Sequence, residues 1–297
     1  MSTFELSRKQ MLTPSEKLSH NYSSFLCVAK MGNKLAWAGA VIIAILMVTA
    51  ILAPFLAPFD PMAIDLAGEL EGPSMGHPLG QDKLGRDILS QIIYGSRTSL
   101  LVGFVVVGVS LVLGVTLGAL AGYFGGFLDT ILMRVVDILL AFPGILLAIA
   151  LAGILGPSMK NIILALCILG WVGYARLVRA QVLAEKNREY VLAAKALGGS
   201  HSRIILRHIL PNVFAPVIVE ATFGLAGVIL AESSLSFLGL GPQDVPTWGR
   251  LLNEGAQYLL FAPHVATFPG IAIMLTVLGF NFLGDGLRNR WNVKGSA

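Results

Sequence analysis

Six apolar runs, each long enough to cross a lipid bilayer as a helix, leave this chain few ways to fold. They are roughly Leu35–Phe55, Ser99–Tyr123, Leu128–Leu155, Asn161–Ala180, Val213–Ala231 and Val265–Leu283. A hydrocarbon core of about 30 Å takes about 20 residues of helix. In lipid every backbone polar group must find its partner within the protein, which a helix provides. Only 13% of the 297 residues are charged and 55% are hydrophobic, whereas soluble chains average about 25% charged. The pattern predicts an all-α integral membrane protein of six transmembrane helices, built as one integral domain.

Lysine and arginine orient such a bundle, because they accumulate on the cytoplasmic side. Arg8, Lys9, Lys17, Lys30 and Lys34 precede the first run; Arg176, Arg179, Lys186, Arg188, Lys195, Arg203 and Arg207 lie between the fourth and fifth; Arg288, Arg290 and Lys294 end the chain. The alternate loops hold only Lys83, Arg86, Arg97, Lys160 and Arg250, beside the acids Asp60, Asp65, Glu69, Glu71, Asp82 and Asp87. Both termini are therefore expected in the cytoplasm. The chain divides into a cytoplasmic arm (1–34), a first span with an external segment (35–98), a five-helix core (99–290) and a cytoplasmic tail (291–297). The 1–34 arm and the length of the first run suit an uncleaved anchor. In the external segment, Ile88, Leu89, Ile92 and Ile93 recur at helical spacing, as in an amphipathic helix lying on the membrane.

Several residues inside the spans call for a reason. Gly114, Gly118, Gly122 and Gly126 recur every fourth residue, a stripe that permits close helix packing; Gly125–Gly126 also reads as a tight cytoplasmic turn. Arg134 and Asp137 are one helical turn apart and can pair; either they form a structural ion pair or they line a pathway. A charge in mid-bilayer usually meets a partner or a wet cavity, and Glu220 is the better cavity candidate of the pair Glu220 and Glu232. Glu232 reads as an external-interface residue, Trp248 and Tyr258 as interfacial anchors. Pro143 predicts a kink at Phe142–Pro143.

The segment 181–211 is basic, helical in composition and set between two spans. Ala193, Ala194, Ala196, Gly198 and Gly199 would let another protein's backbone approach closely, and Gly198–Gly199 would break the helix. Pro211 is expected to restart the chain into the next span. With Glu189, Ala193, Ala194, Gly198, Leu210 and Pro211 at these positions, the segment resembles the cytoplasmic docking loop of bacterial ABC-type import permeases. The resemblance implies an ATPase-docking surface that also takes in Tyr190 and Ser200. Leu192 stands where the general motif has Glu, and His208 where it has Ile.

The run Gly80-x-Asp82-x-x-Gly85-Arg86-Asp87-x-x-Ser90 resembles the amino-terminal signature of the permease subunits of dipeptide, oligopeptide and nickel importers, the C-type subfamily. It is either a structural cap on the bundle or a substrate contact. Met133–Pro143, Ser233–Gln243 and Pro246–Gly249 carry the same resemblance, with Thr247 in place of the usual acid. It spans roughly residues 35 to 290 and implies a type I ABC importer permease core in the bacterial inner membrane. It further implies a second, homologous permease subunit, two cytoplasmic ATPase subunits and an extracytoplasmic solute-binding protein. Peptides are the implied cargo, with nickel chelates or glutathione as alternatives. The chain has no Gly-x-x-x-x-Gly-Lys-Ser/Thr loop, so it is expected to bind no cofactor itself, ATP and Mg being held by the partner ATPases. A polytopic membrane enzyme or a channel is the rival reading. No paired catalytic residues support the first, and the second has no need of a docking loop. Five histidines without a His-x-x-x-His pair, and Cys27 far from Cys167, offer neither zinc spacing nor a disulfide framework.

Overall fold

The computed structural model describes residues 34–292, and these are helical with connecting turns. The 1–34 arm, apart from Lys34, and most of the 291–297 tail lie outside the described residues. The helices, in order, are α1 (Lys34–Ile51), α2 (Ala53–Leu56), α3 (Ile88–Phe124), α4 (Gly126–Leu140), α5 (Gly144–Leu155), α6 (Met159–Glu185), α7 (Glu189–Ala196), α8 (His201–Phe237), α9 (Trp248–Ala256) and α10 (His264–Asn292). Helices α1, α3, α6, α8 and α10 are each long and apolar enough to cross a membrane, and α4 with α5 makes a sixth, broken candidate.

Glycine contacts give the packing. A Cβ at Gly114 would overlap Tyr174, one at Gly118 would strike Ala175 and Val178, and one at Gly122 would press on Arg179 and Val182. Both numbers rise together, so α3 and α6 run parallel and in close contact. The glycine stripe is thus a helix-packing seam. Gly126 is not part of it: a Cβ there meets nothing within 4 Å, and its φ of +60° belongs to the turn. Helix α8 runs antiparallel to α3, since Gly103 faces Ile229 and Leu225 while Ser99 reaches Glu232. Helix α1 packs antiparallel on α10, with Gly39 against Gly279 and Leu283 and Gly286 against Ala36.

Four sequence expectations change. The third span does not run unbroken from Leu128 to Leu155; α4 and α5 meet at 84°. Pro143 lacks an N–H and has ψ of 116°, so Ala141 and Phe142 cannot carry the helix through. The bend falls at the expected step and is a break, not a kink. The first span ends at Ile51, and Pro54 starts the separate turn α2. Residues 88–93 form no separate surface helix; they open α3, whose 37 residues reach about 55 Å, well beyond a bilayer core. Ile88 is fully buried and packs with Ala262 and Val265. Finally, Pro211 does not restart the chain. Helix α8 already begins at His201 and absorbs the proline through a π turn at Ile205–Ile209, where Leu210 N–H bonds Ile205 O. The wider turn relieves the proline ring's clash with the preceding carbonyls.

Candidate functional site

The segment between α6 and α8 folds as an elbow. Helix α7 follows Arg188, and the chain then turns at Gly198, whose φ of +77° few side chains adopt. One apolar residue anchors α7: Val191 is fully buried among Val182, Ile204 and Ile209. Polar contacts do the rest. The Tyr190 hydroxyl donates to Glu185 Oε1 at 2.8 Å and accepts from Asn212 Nδ2 at 3.0 Å, tying α7 to both α6 and α8. Burial first, then the bond to Glu185, raises the Tyr190 phenol above its ordinary value, so it stays protonated at neutral pH. Asn212 Nδ2 also bonds His208 O at 2.8 Å, a carbonyl beside the π turn.

The elbow is fastened to the end of α3 as well. Lys186 Nζ donates to Gly122 O at 2.8 Å, Tyr123 O–H and His201 Nδ1 lie 2.9 Å apart, and Lys195 sits over the Tyr123 ring. Arg179 grips Asp129 on α4 with two N–H groups, one of them at 2.7 Å. The outer face presents Glu189, Tyr190, Leu192, Ala193, Ala196, Leu197, Gly198 and Ser200, all exposed, with Leu197 88% exposed. A Cβ at Gly198 would meet nothing within 4 Å. Ala194 and Leu210 are half-buried and pack inward, while Pro211 is exposed on α8. The structure therefore gathers the predicted docking residues on one elbow, those on the outer face being small or apolar apart from Glu189 and Tyr190.

A cavity of about 300 Å³ opens between α3, α5, α6 and α8, with Glu220, Tyr174 and Ser110 among its lining residues. Of the three predicted pathway residues, only Glu220 lines it. Arg134 and Asp137 are exposed on α4, away from the cavity lining, and make no ion pair with each other. The i, i+3 spacing permits a pair without requiring one. Among the described residues, α4 pairs instead through Asp129 with Arg179.

At the opposite end, the signature run folds into a buried latch. Asp82 Oδ2 accepts from Arg86 Nε at 2.7 Å and Gln91 Nε2 at 2.8 Å, while Oδ1 accepts from the backbone of Leu84 and Arg86. Arg86 Nη2 reaches Glu254 Oε2 on α9 at 2.7 Å, and Arg250 Nε holds the other Glu254 oxygen at 3.0 Å. Asp87 caps α3 through Ser90 N at 2.7 Å and faces His77 Nδ1 at 3.0 Å. Gly80 and Gly85 hold φ of +81° and +69°, and a Cβ at Gly85 would overlap the Asp65 carbonyl. Gly80, Asp82, Gly85, Arg86 and Asp87 are all buried. Their bonds point inward, which favours the structural cap of the two sequence readings.

The family described as binding-protein-dependent transport system inner membrane component matches residues 114–292. The chain belongs to that family. Residues 31–73 match a second family, the N-terminal TM domain of oligopeptide transport permease C. The chain is 47% identical to the dipeptide transport system permease protein DppC of Alkalihalophilus pseudofirmus, over 88% of this chain and 86% of that one. It is 45% identical to the glutathione transport system permease protein GsiD of Pectobacterium atrosepticum, over 87% of each. A probable D,D-dipeptide transport system permease protein, DdpC, of Escherichia coli is 41% identical over 93% of each chain.

In this permease, sequence reasoning misplaced or missed several buried groups. Glu232 faces no solvent or lipid; it is fully buried, 3.1 Å from Ser99 Oγ and 2.8 Å from Ser236 Oγ, both donating. Its i, i+4 spacing to Ser236 was a visible signal; Ser99, far away in sequence, was not. Trp248 is no interfacial anchor but a fully buried residue whose indole N–H bonds Ile92 O at 3.0 Å. Thr247 accepts from Arg250 N at 3.2 Å as the α9 cap, which gives this departure from the resemblance a structural use.

Proposed function

We propose that this permease is one of two different membrane subunits of an ATP-driven importer of short peptides in the bacterial inner membrane. A solute-binding protein delivers the peptide on the outer side, and two ATPase subunits, which hold ATP and Mg, grip the elbows of the two permease subunits inside. The observation that carries this reading is the elbow itself: an exposed surface on which small and apolar residues stand among Arg188, Glu189 and Lys195, anchored by Val191 and Tyr190 and tied to α3, α6 and α8. A push on α7 reaches three spanning helices through those contacts. ATP-driven closure of the ATPase dimer then opens the path outward, and hydrolysis resets it.

Peptide cargo is supported by relatives named for dipeptide transport; glutathione, itself a short peptide, is the second reading because of the 45% identical relative. The excess of lysine and arginine before α1, between α6 and α8 and at the end of the chain supports an arrangement with both termini and the elbow in the cytoplasm. The test is reconstitution of the complete transporter in proteoliposomes with labelled dipeptides or glutathione. ATP-dependent dipeptide uptake is expected. Uptake of glutathione alone shifts the cargo, and ATP-dependent uptake of neither contradicts the proposal.

A further inference from the structure

The cavity between α3, α5, α6 and α8 holds chemistry that helix packing leaves unused. Ser110 is fully buried and Tyr174 only 6% exposed, yet neither hydroxyl has a hydrogen-bond partner among the described residues. Buried hydroxyls without partners are costly, so such groups usually await a ligand or water. Both line the cavity. Glycine makes room for each: a Cβ at Gly170 would overlap Ser110 Oγ, and one at Gly224 would overlap the Tyr174 hydroxyl. At Gly144, Gly173 and Gly227, which also line the cavity, a Cβ would meet nothing within 4 Å. The first two glycines accommodate the hydroxyls, and the other three border open volume.

Glu220 sets the sign of the ligand. It lies four and seven residues before Gly224 and Gly227, on the same face of α8, and is exposed within a membrane-spanning helix. A carboxylate there is expensive against lipid and belongs beside water or a cation. Among the described residues no Lys, Arg or His lines the cavity, so a ligand's carboxylate would be repelled and its ammonium attracted. A lipid chain would leave both hydroxyls and the carboxylate unpartnered. The volume, about 300 Å³, sits at the small end of ligand pockets, which run about 300–1,000 Å³.

We propose that this cavity receives the amino-terminal residue of a peptide in transit. Glu220 takes the ammonium, the Tyr174 and Ser110 hydroxyls donate to the first carbonyl oxygen, and the space bordered by Gly144, Gly173 and Gly227 takes the side chain. This rests on the peptide-import reading above.

The test uses the complete transporter in proteoliposomes with labelled Gly-Gly and Leu-Gly, each variant compared with wild type on the same peptide, so that selection by the binding protein cancels. Gly227→Val fills the cavity: Leu-Gly uptake should fall about tenfold, the scale of a one-methylene misfit, with Gly-Gly uptake within about twofold of wild type. Glu220→Gln should reduce both peptides about tenfold, with partial recovery in Glu220→Asp. If Gly227→Val fails to assemble, Gly173→Ala carries the same contrast. In assembled Gly227→Val or Gly173→Ala, equal effects on the two peptides, or none, overturn the pocket, as does unchanged uptake in assembled Glu220→Gln, while wild-type uptake leaves peptide import standing. A wild-type transporter that imports neither peptide overturns both.

Discussion

The Tyr190 hydroxyl joins three helices with one oxygen, donating to Glu185 and accepting from Asn212. Tyr190→Phe keeps the ring and removes both bonds, each with a net worth of about 0.5–1.5 kcal/mol. Amide exchange in α7 should accelerate accordingly while the spanning helices keep their protection; unchanged α7 exchange would show that Val191 alone anchors the elbow. A second contrast lies on α4. Asp129→Asn removes the carboxylate that Arg179 grips and should cost about 1.5–3 kcal/mol, as for hydrogen bonds to charged groups, read as a lower unfolding midpoint in detergent. Asp137→Asn, at an exposed residue outside the ion pairs, should leave that midpoint within about 0.5 kcal/mol of wild type. Single residues were the least legible level. The i, i+3 spacing suggested Arg134–Asp137, whereas Asp129 found its partner fifty residues away, a distance that no local pattern reports.

Among elements, the latch joins a loop before α3 to α9 through Arg86 and Glu254, which are 168 residues apart. Breaking a buried ion pair by removing one partner costs about 3–5 kcal/mol. Arg86→Ala should therefore lower the thermal midpoint sharply and loosen α9, detectable as faster proteolysis after Arg250. Normal stability in this variant would mean that Arg250 alone satisfies Glu254. The signature run was legible as a unit because its spacing is short and local. Its partner helix was not, because Trp248 and Glu254 reveal their burial only once α9 is folded against α3 and α10. The break between α4 and α5 shows the same limit. Pro143 marked the place, but the 84° angle between the two helices is not written in any local pattern. The π turn in α8 shows the converse: a proline that looked like a boundary sits inside one continuous helix.

For the whole molecule, hydropathy located the membrane-crossing helices because lipid demands about 20 apolar residues whatever the fold. It could not report the parallel packing of α3 on α6, which only the contacts of Gly114, Gly118 and Gly122 reveal. Orientation can be read directly. Single cysteines at Ser200 on the elbow and Gly72 beyond the latch, both exposed, in a background lacking Cys27 and Cys167, should label from opposite faces of the membrane. Labelling of both on intact cells by an impermeant reagent contradicts the arrangement. The proposed role of the elbow, to hold an ATPase subunit, can be tested at Gly198. Gly198→Asp places a charge on its open, exposed turn, where φ is +77°. The measurement is the amount of ATPase subunit retained on the purified permease, wild type against Gly198→Asp, with Gly72→Asp as control. A loss of about tenfold or more is expected for Gly198→Asp, as at an interface hot spot, with normal membrane insertion and full retention in the control. Full retention and normal coupled hydrolysis in Gly198→Asp would contradict that role.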